Sequence, residues 1–114
     1  MLNFLKKKTE GYENIDSATF RQKLEGDVDG VLLDVRTETE YNEAHIPDSL
    51  LIDFKALDFR ERIEKLDKSK NYYLYCRSGA RSASACKIMA EKGFKLLYNL
   101  RSGILGWDGP IEKS

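Results

Sequence analysis

Four short apolar runs recur along the chain: VLLDV at 31–35, LLI at 50–52, NYYLYC at 71–76 and FKLLYNL at 94–100. Stretches patterned for helix lie between them, and this alternation limits the possible folds more than any other feature of the sequence. It predicts a doubly wound α/β fold, with a mainly parallel sheet of roughly five strands and helices on both faces.

Each element has its own signal. VLLDV carries valine at both ends and one interruption, Asp34, so it reads as a central strand buried on both faces. A carboxylate in that place needs a partner. NYYLYC is rich in aromatics and is the most strand-like run, and Tyr12 to Ile15 reads as a short edge strand. IDSATFRQKLEG offers Asp16 or Ser17 as an N-cap, Phe20 and Leu24 four apart, and Gly26 as a stop. A helical turn is expected over 38–43. Residues 54–66 read as one helix, or as two with a break near Asp58, and SASACKIMAEKG reads as a helix stopped at Gly93. RSGILGWDG should form a turn and short helix, with Trp107 packed on the core.

The 114 residues suit one domain, expected over 12–114 behind a polar, lysine-rich lead-in at 1–11. Nineteen basic and nineteen acidic residues cancel, so no whole-molecule field draws the chain to nucleic acid or to an anionic membrane. Neither is expected as a partner. MLNFLKKKTEG has the reverse of the basic-then-apolar order of a secretory leader, and no apolar run is long enough to span a bilayer. A cytoplasmic location is the expectation. Cys76 and Cys86 are too few for a disulfide framework and fall in no C-x-x-C pattern, so both read as free thiols in a reducing compartment. With one histidine, His45, a structural zinc site is not expected, and neither is any other metal or cofactor.

The chemistry concentrates in YCRSGARSA, residues 75–83. In an open parallel sheet, ligands collect beyond the carboxyl ends of the strands, and Cys76 ends one. A loop turning into a helix leaves N–H groups unpaired, and these favour an anion or the charged form of a cysteine. Arg77 and Arg81 are nearby cations, Gly79 permits a left-handed backbone, and Ser78 and Ser82 add hydroxyl donors. A lone cysteine after a strand is also a common buried hydrophobe. The residues alone leave a reactive loop and a packing cysteine both open.

LLDVRTETEYNEAHIPDSLLI, CRSGARS and YNLRSGILGW, in that order along the chain, resemble the three signature segments of the single-domain rhodanese-like sulfurtransferases. The resemblance covers nearly all of residues 12–109. It implies a persulfide carried on Cys76, loaded by a sulfane sulfur donor such as thiosulfate and discharged to a thiol, to cyanide, or to thioredoxin or another sulfur-carrier protein. It also implies that the backbone N–H groups of Arg77, Ser78, Gly79, Ala80, Arg81 and Ser82 cradle the outer sulfur. Arg77 would attract the donor, and Arg81 would share that task with closing the loop. Asp34 and Arg36 would brace the neighbouring loop with Glu40 as partner, His45 would belong to a structural turn, and Cys86 would pack.

Three positions depart from the family pattern: Ala44 precedes the histidine in place of glycine, Asp48-Ser49 replaces Gly-Ala, and Ser102 replaces the first glycine of a pair. All are expected to touch turns and not the reactive loop. Two other readings are carried forward. One is a persulfide carrier or interaction module without turnover. The other is a phosphatase or arsenate reductase, which the C-x4-R spacing of Cys76 and Arg81 disfavours, since the related phosphatases have a loop one residue longer.

Overall fold

The computed structural model describes residues 11–113, so the lead-in expected at 1–11 lies, save Gly11, outside the described residues. Five parallel strands form one sheet in the order β1-β5-β4-β2-β3. In chain order they are β1 Glu13–Ile15, β2 Gly30–Asp34, β3 Leu50–Leu51, β4 Asn71–Tyr75 and β5 Leu96–Leu100. The helices are α1 Ser17–Glu25, α2 Glu38–Glu43, α3 Phe59–Glu64 and α4 Ala80–Glu91, and a 3-10 turn follows at Ile104–Gly106. This is the doubly wound α/β architecture that the alternation predicts.

Period two in NYYLYC feeds both faces of the sheet. Tyr72, Leu74 and Cys76 face one core, shared with Ile63, Ala85, Cys86 and Met89 of α3 and α4. Tyr73 and Tyr75 face the other, shared with Phe20 of α1, Leu32 and Leu100. Trp107 is half-buried there and meets the Phe20 ring edge-on at 6.0 Å.

Local chemistry sets the element ends. The Asp16 carboxylate caps α1 by accepting from Thr19 N at 2.8 Å. Thr37 and Glu40 form a reciprocal capping box on α2. The break near Asp58 is present, and residues before it form turns instead of helix. There the Asp53 carboxylate accepts the Lys55 N–H at 2.8 Å, closing a turn of its own. Strand limits differ slightly from expectation: Val35 and Cys76 lie just past β2 and β4, and Phe94 precedes β5. The Phe94 N–H is held by the Met89 carbonyl at 3.1 Å, which assigns it to the end of α4.

The chain leaves β2 toward β3 on one side and β4 toward β5 on the other. The loops after β2 and β4 therefore diverge at a topological switch point, the usual crevice of an open α/β sheet. Asp34 ends β2 and Cys76 follows β4, so the two most conspicuous polar or reactive residues of the apolar runs meet there.

Candidate active site

α4 has no side chain of the usual capping kind at its start. Its N-cap is Gly79, at φ 101°, a conformation that needs glycine. The sulfur of Cys76 takes the capping role instead. Sγ accepts from Gly79 N at 3.1 Å, from Ser82 N in the first turn at 3.4 Å and from the Ser82 hydroxyl at 3.3 Å. Cys76 is 1% exposed. Burial works against a charged sulfur, but the Ser82 hydroxyl and the N–H groups of Ser82, Gly79 and Ser78 outweigh it and hold the thiol below its ordinary value.

The Ser82 hydroxyl also lies 3.2 Å from the Gly79 carbonyl. One proton serves one acceptor at a time, and a thiolate is the stronger of the two. Ser82→Ala is therefore expected to raise the apparent pKa of Cys76 by about one to two units, the equivalent of one hydrogen bond to a charged group. The pH dependence of iodoacetamide alkylation at Cys76 reads this shift directly.

The two arginines are placed differently from one another. Arg81 grips Glu40 with both ends of its guanidinium, at 2.9 Å each, across 41 residues of sequence. Glu40 was expected beside Asp34 and Arg36. Its charge does favour the Arg36 cation, but its hydrogen bonds go to Arg81 in the first turn of α4, where the α2 capping box aims it. Arg36 instead pairs with Asp34 at 2.7 Å and donates to the Ala44 carbonyl at 2.6 Å, pinning residues 34–44 together. Arg77 is exposed, and among the described residues its side chain has no hydrogen bond or ion pair. The sulfur's donors are thus backbone and hydroxyl groups, with neither guanidinium bonded to it.

The Arg81 guanidinium draws the Glu40 carboxyl down to about 2, against the opposing effect of burial. Because this folded value lies below the unfolded one, the pair's stabilisation is present above the ordinary glutamate value of about 4.3 and is lost as pH falls toward the folded value. Urea unfolding of wild type and Glu40→Gln should show a gap of roughly 1–3 kcal/mol that is constant from about pH 7 to 5 and narrows below about pH 4.

The loop rests on the segment that follows β5. Ile104 N donates to the Cys76 carbonyl at 2.9 Å and Leu105 N to the Arg77 carbonyl at 3.2 Å. Gly103, at φ 67°, lies so close that a Cβ there would stand 2.1 Å from the Arg77 carbonyl oxygen. The turn thus bears on the loop through Gly103 and not through the departing residue, Ser102. Ser102 itself is exposed, so the glycine that matters, Gly103, is the one retained. The glycine of LRSGILGW was the sequence signal for this support.

The other departures are accommodated. Ala44 has φ −171°, which any residue adopts. Asp48 takes the left-handed conformation, φ 68°, where the family pattern has glycine. Ser49 bonds the Tyr75 hydroxyl at 3.1 Å. His45 places Nδ1 2.9 Å from the Tyr41 carbonyl and stacks on the Tyr41 ring, a turn-holding arrangement. Cys86 is fully buried and its thiol is pushed well up by that burial. A cavity of about 370 Å³ lined by Leu24, Leu32, Ile46, Pro47 and Trp107 lies on the opposite face of the sheet from the Cys76 side chain. Among the described residues no cluster could hold a metal ion, and no helix is long and apolar enough to cross a membrane.

Residues 16–109 match the model of the Rhodanese-like domain family. YtwF of Bacillus subtilis is 39% identical over 100 residues, covering 88% of this chain and 94% of its own length. The thiosulfate sulfurtransferase GlpE of Coxiella burnetii is 38% identical over 79 residues, 69% of this chain and 72% of that one. The crystal structure of a rhodanese-like domain protein from Staphylococcus aureus superposes with a TM-score of 0.78 at 25% identity, covering 90% of this chain and 98% of that chain.

Proposed function

The chain belongs to the rhodanese-like domain family, and from that membership we propose that it is a sulfurtransferase working through a persulfide on Cys76, with residues 12–114 acting as one domain. The observation that carries this reading is the sulfur serving as the cap of α4, held by Gly79 N, Ser82 N and the Ser82 hydroxyl. A thiolate is the nucleophile in sulfur exchange, and this arrangement favours the thiolate without a general base.

With thiosulfate as donor, Cys76 Sγ attacks the outer sulfur. A new S–S bond forms, the S–S bond of thiosulfate breaks, and sulfite leaves with the electron pair. The terminal sulfur of the persulfide carries the negative charge, which the loop N–H groups offset. An acceptor nucleophile then attacks that outer sulfur and restores the Cys76 thiolate. Cyanide leaves as thiocyanate, and a thiolate leaves as its own persulfide. The sequence is redox-neutral and needs no further reactant. Arg77, exposed and without a side-chain partner among the described residues, suits attraction of an anionic donor. Arg81 holds the loop through Glu40.

Thiosulfate as the donor finds support in the similarity to GlpE. The short C-x4-R loop, with its N–H groups already gathered on one sulfur, favours sulfur over a tetrahedral phosphoryl or arsenate group. Incubation with thiosulfate and cyanide should yield thiocyanate, while an aryl phosphate and arsenate should not turn over. Phosphate ester hydrolysis without thiocyanate formation would reverse the assignment. A protein that took up sulfur but released it only to a protein thiol would be a carrier.

A further inference from the structure

Asn99 lies on β5 directly opposite Asn14 of β1, and it is 1% exposed. Its Nδ2 donates to Asn14 Oδ1 at 2.9 Å and to the Gly79 carbonyl at 3.2 Å. Its Oδ1 is buried with no partner among the described residues. Leaving a buried acceptor unpaired costs about 1–3 kcal/mol, which an apolar side chain of this size would avoid. What the amide provides is a pair of donors from one planar group, one directed at the edge strand and the other at the loop.

The direction of that second bond matters because every described peptide is trans, and in a trans peptide the carbonyl and the following N–H point opposite ways. Ile104 N–H draws the Cys76 carbonyl down and so turns the Arg77 N–H away from the support. Leu105 N–H does the same through the Arg77 carbonyl to the Ser78 N–H. The Gly79 carbonyl accepts the first helical bond of α4 from Ala83 N at 3.1 Å, and Asn99 Nδ2 adds a hold on it, and so on the Ala80 N–H, from the β5 side. Gly79 is the most freely rotating residue of the loop, and its own N–H makes the shortest bond to the sulfur.

We infer that Asn99 is a positioning residue of the sulfur cradle: beside the Ala83 N–H it anchors Gly79 by its carbonyl, which restrains rotation of this glycine and so keeps its N–H near Cys76 Sγ, and it turns the Ala80 N–H toward the outer sulfur. The second half of this role rests on the persulfide reading above, and the first half does not. Asn14 only shares the amide, and its loss leaves the bond to Gly79 in place.

The test compares wild type, Asn99→Leu, Asn99→Ala and Asn14→Ala. Two quantities are measured on the Cys76 peptide by mass: the pH midpoint of iodoacetamide alkylation and the rate of persulfide formation from thiosulfate. Asn99→Leu should raise the midpoint by about half to one unit and slow loading about tenfold, the equivalent of one lost hydrogen bond. Asn99→Ala, which removes the donor and adds no charge, should do likewise, and it carries the test if the leucine variant does not fold. Asn14→Ala should melt at a lower temperature with its midpoint unchanged. Unchanged midpoints in both Asn99 variants, or an equal shift in Asn14→Ala, would overturn the inference. If wild type forms no persulfide while the Asn99 midpoints still shift, the sulfur-transfer reading fails and the positioning of the thiolate stands.

Discussion

Cys76→Ser is expected to abolish thiocyanate formation, with no activity above the buffer reaction. A serine hydroxyl can accept the same bonds from Gly79 and Ser82, so the variant should fold and melt within a few degrees of wild type. It nevertheless lacks a sulfur to attack thiosulfate. The loss is therefore chemical, and thermal melting beside the activity assay separates it from unfolding. Cys86, buried and disfavoured as a thiolate, is in no position to substitute. Cys86→Ala should accordingly leave the rate unchanged apart from the effect of a small cavity on stability.

Gly103→Ala is expected to cause a large loss of stability. The new Cβ would stand 2.1 Å from the Arg77 carbonyl oxygen and 2.5 Å from Ser78 N, so it meets backbone and not the flexible end of a side chain. Gly103 also has φ 67° and ψ −173°, a region only glycine occupies readily. Loop and turn must separate, which breaks the bonds from Ile104 N and Leu105 N to the loop carbonyls. A cost of about 3 kcal/mol or more follows, lowering the melting temperature by roughly 10 °C. Sulfur transfer should fall by a larger factor than the folded fraction does, because the N–H groups lose their aim even in molecules that remain folded. A variant that melted normally and kept full activity would show that the turn does not support the loop.

Much of this architecture is legible in the amino-acid sequence because its causes are local. The alternation in NYYLYC sends Cys76 to the face of α4, and Gly79 announces a left-handed entry into that helix. Asp34 stands out in VLLDV, and its partner Arg36 is only two residues away. What the chain does not disclose is contact across long separations. Glu40 and Arg81 are 41 residues apart, and either carboxylate near the switch point offered a charge of the right sign. The support of the loop by residues 103–105 depends on how the chain leaves β5, and no periodicity encodes that. Asn99 reads as one polar residue in a strand, and its role appears only once β5 lies beside β1 and beneath the start of α4. The electrostatics follow the same division. Two arginines beside a cysteine suggested a cationic field, whereas folding binds one of them to Glu40 and gives the sulfur to backbone and hydroxyl donors.

The central claim is that the loop after β4 makes Cys76 a carrier of sulfane sulfur. Mass measurement of the protein after thiosulfate treatment, followed by peptide mapping, tests it most directly. The account predicts a gain of about one sulfur atom, about 32 Da, confined to Cys76 and removed by cyanide or a reducing thiol. An unchanged mass, or a gain located on Cys86, would contradict it.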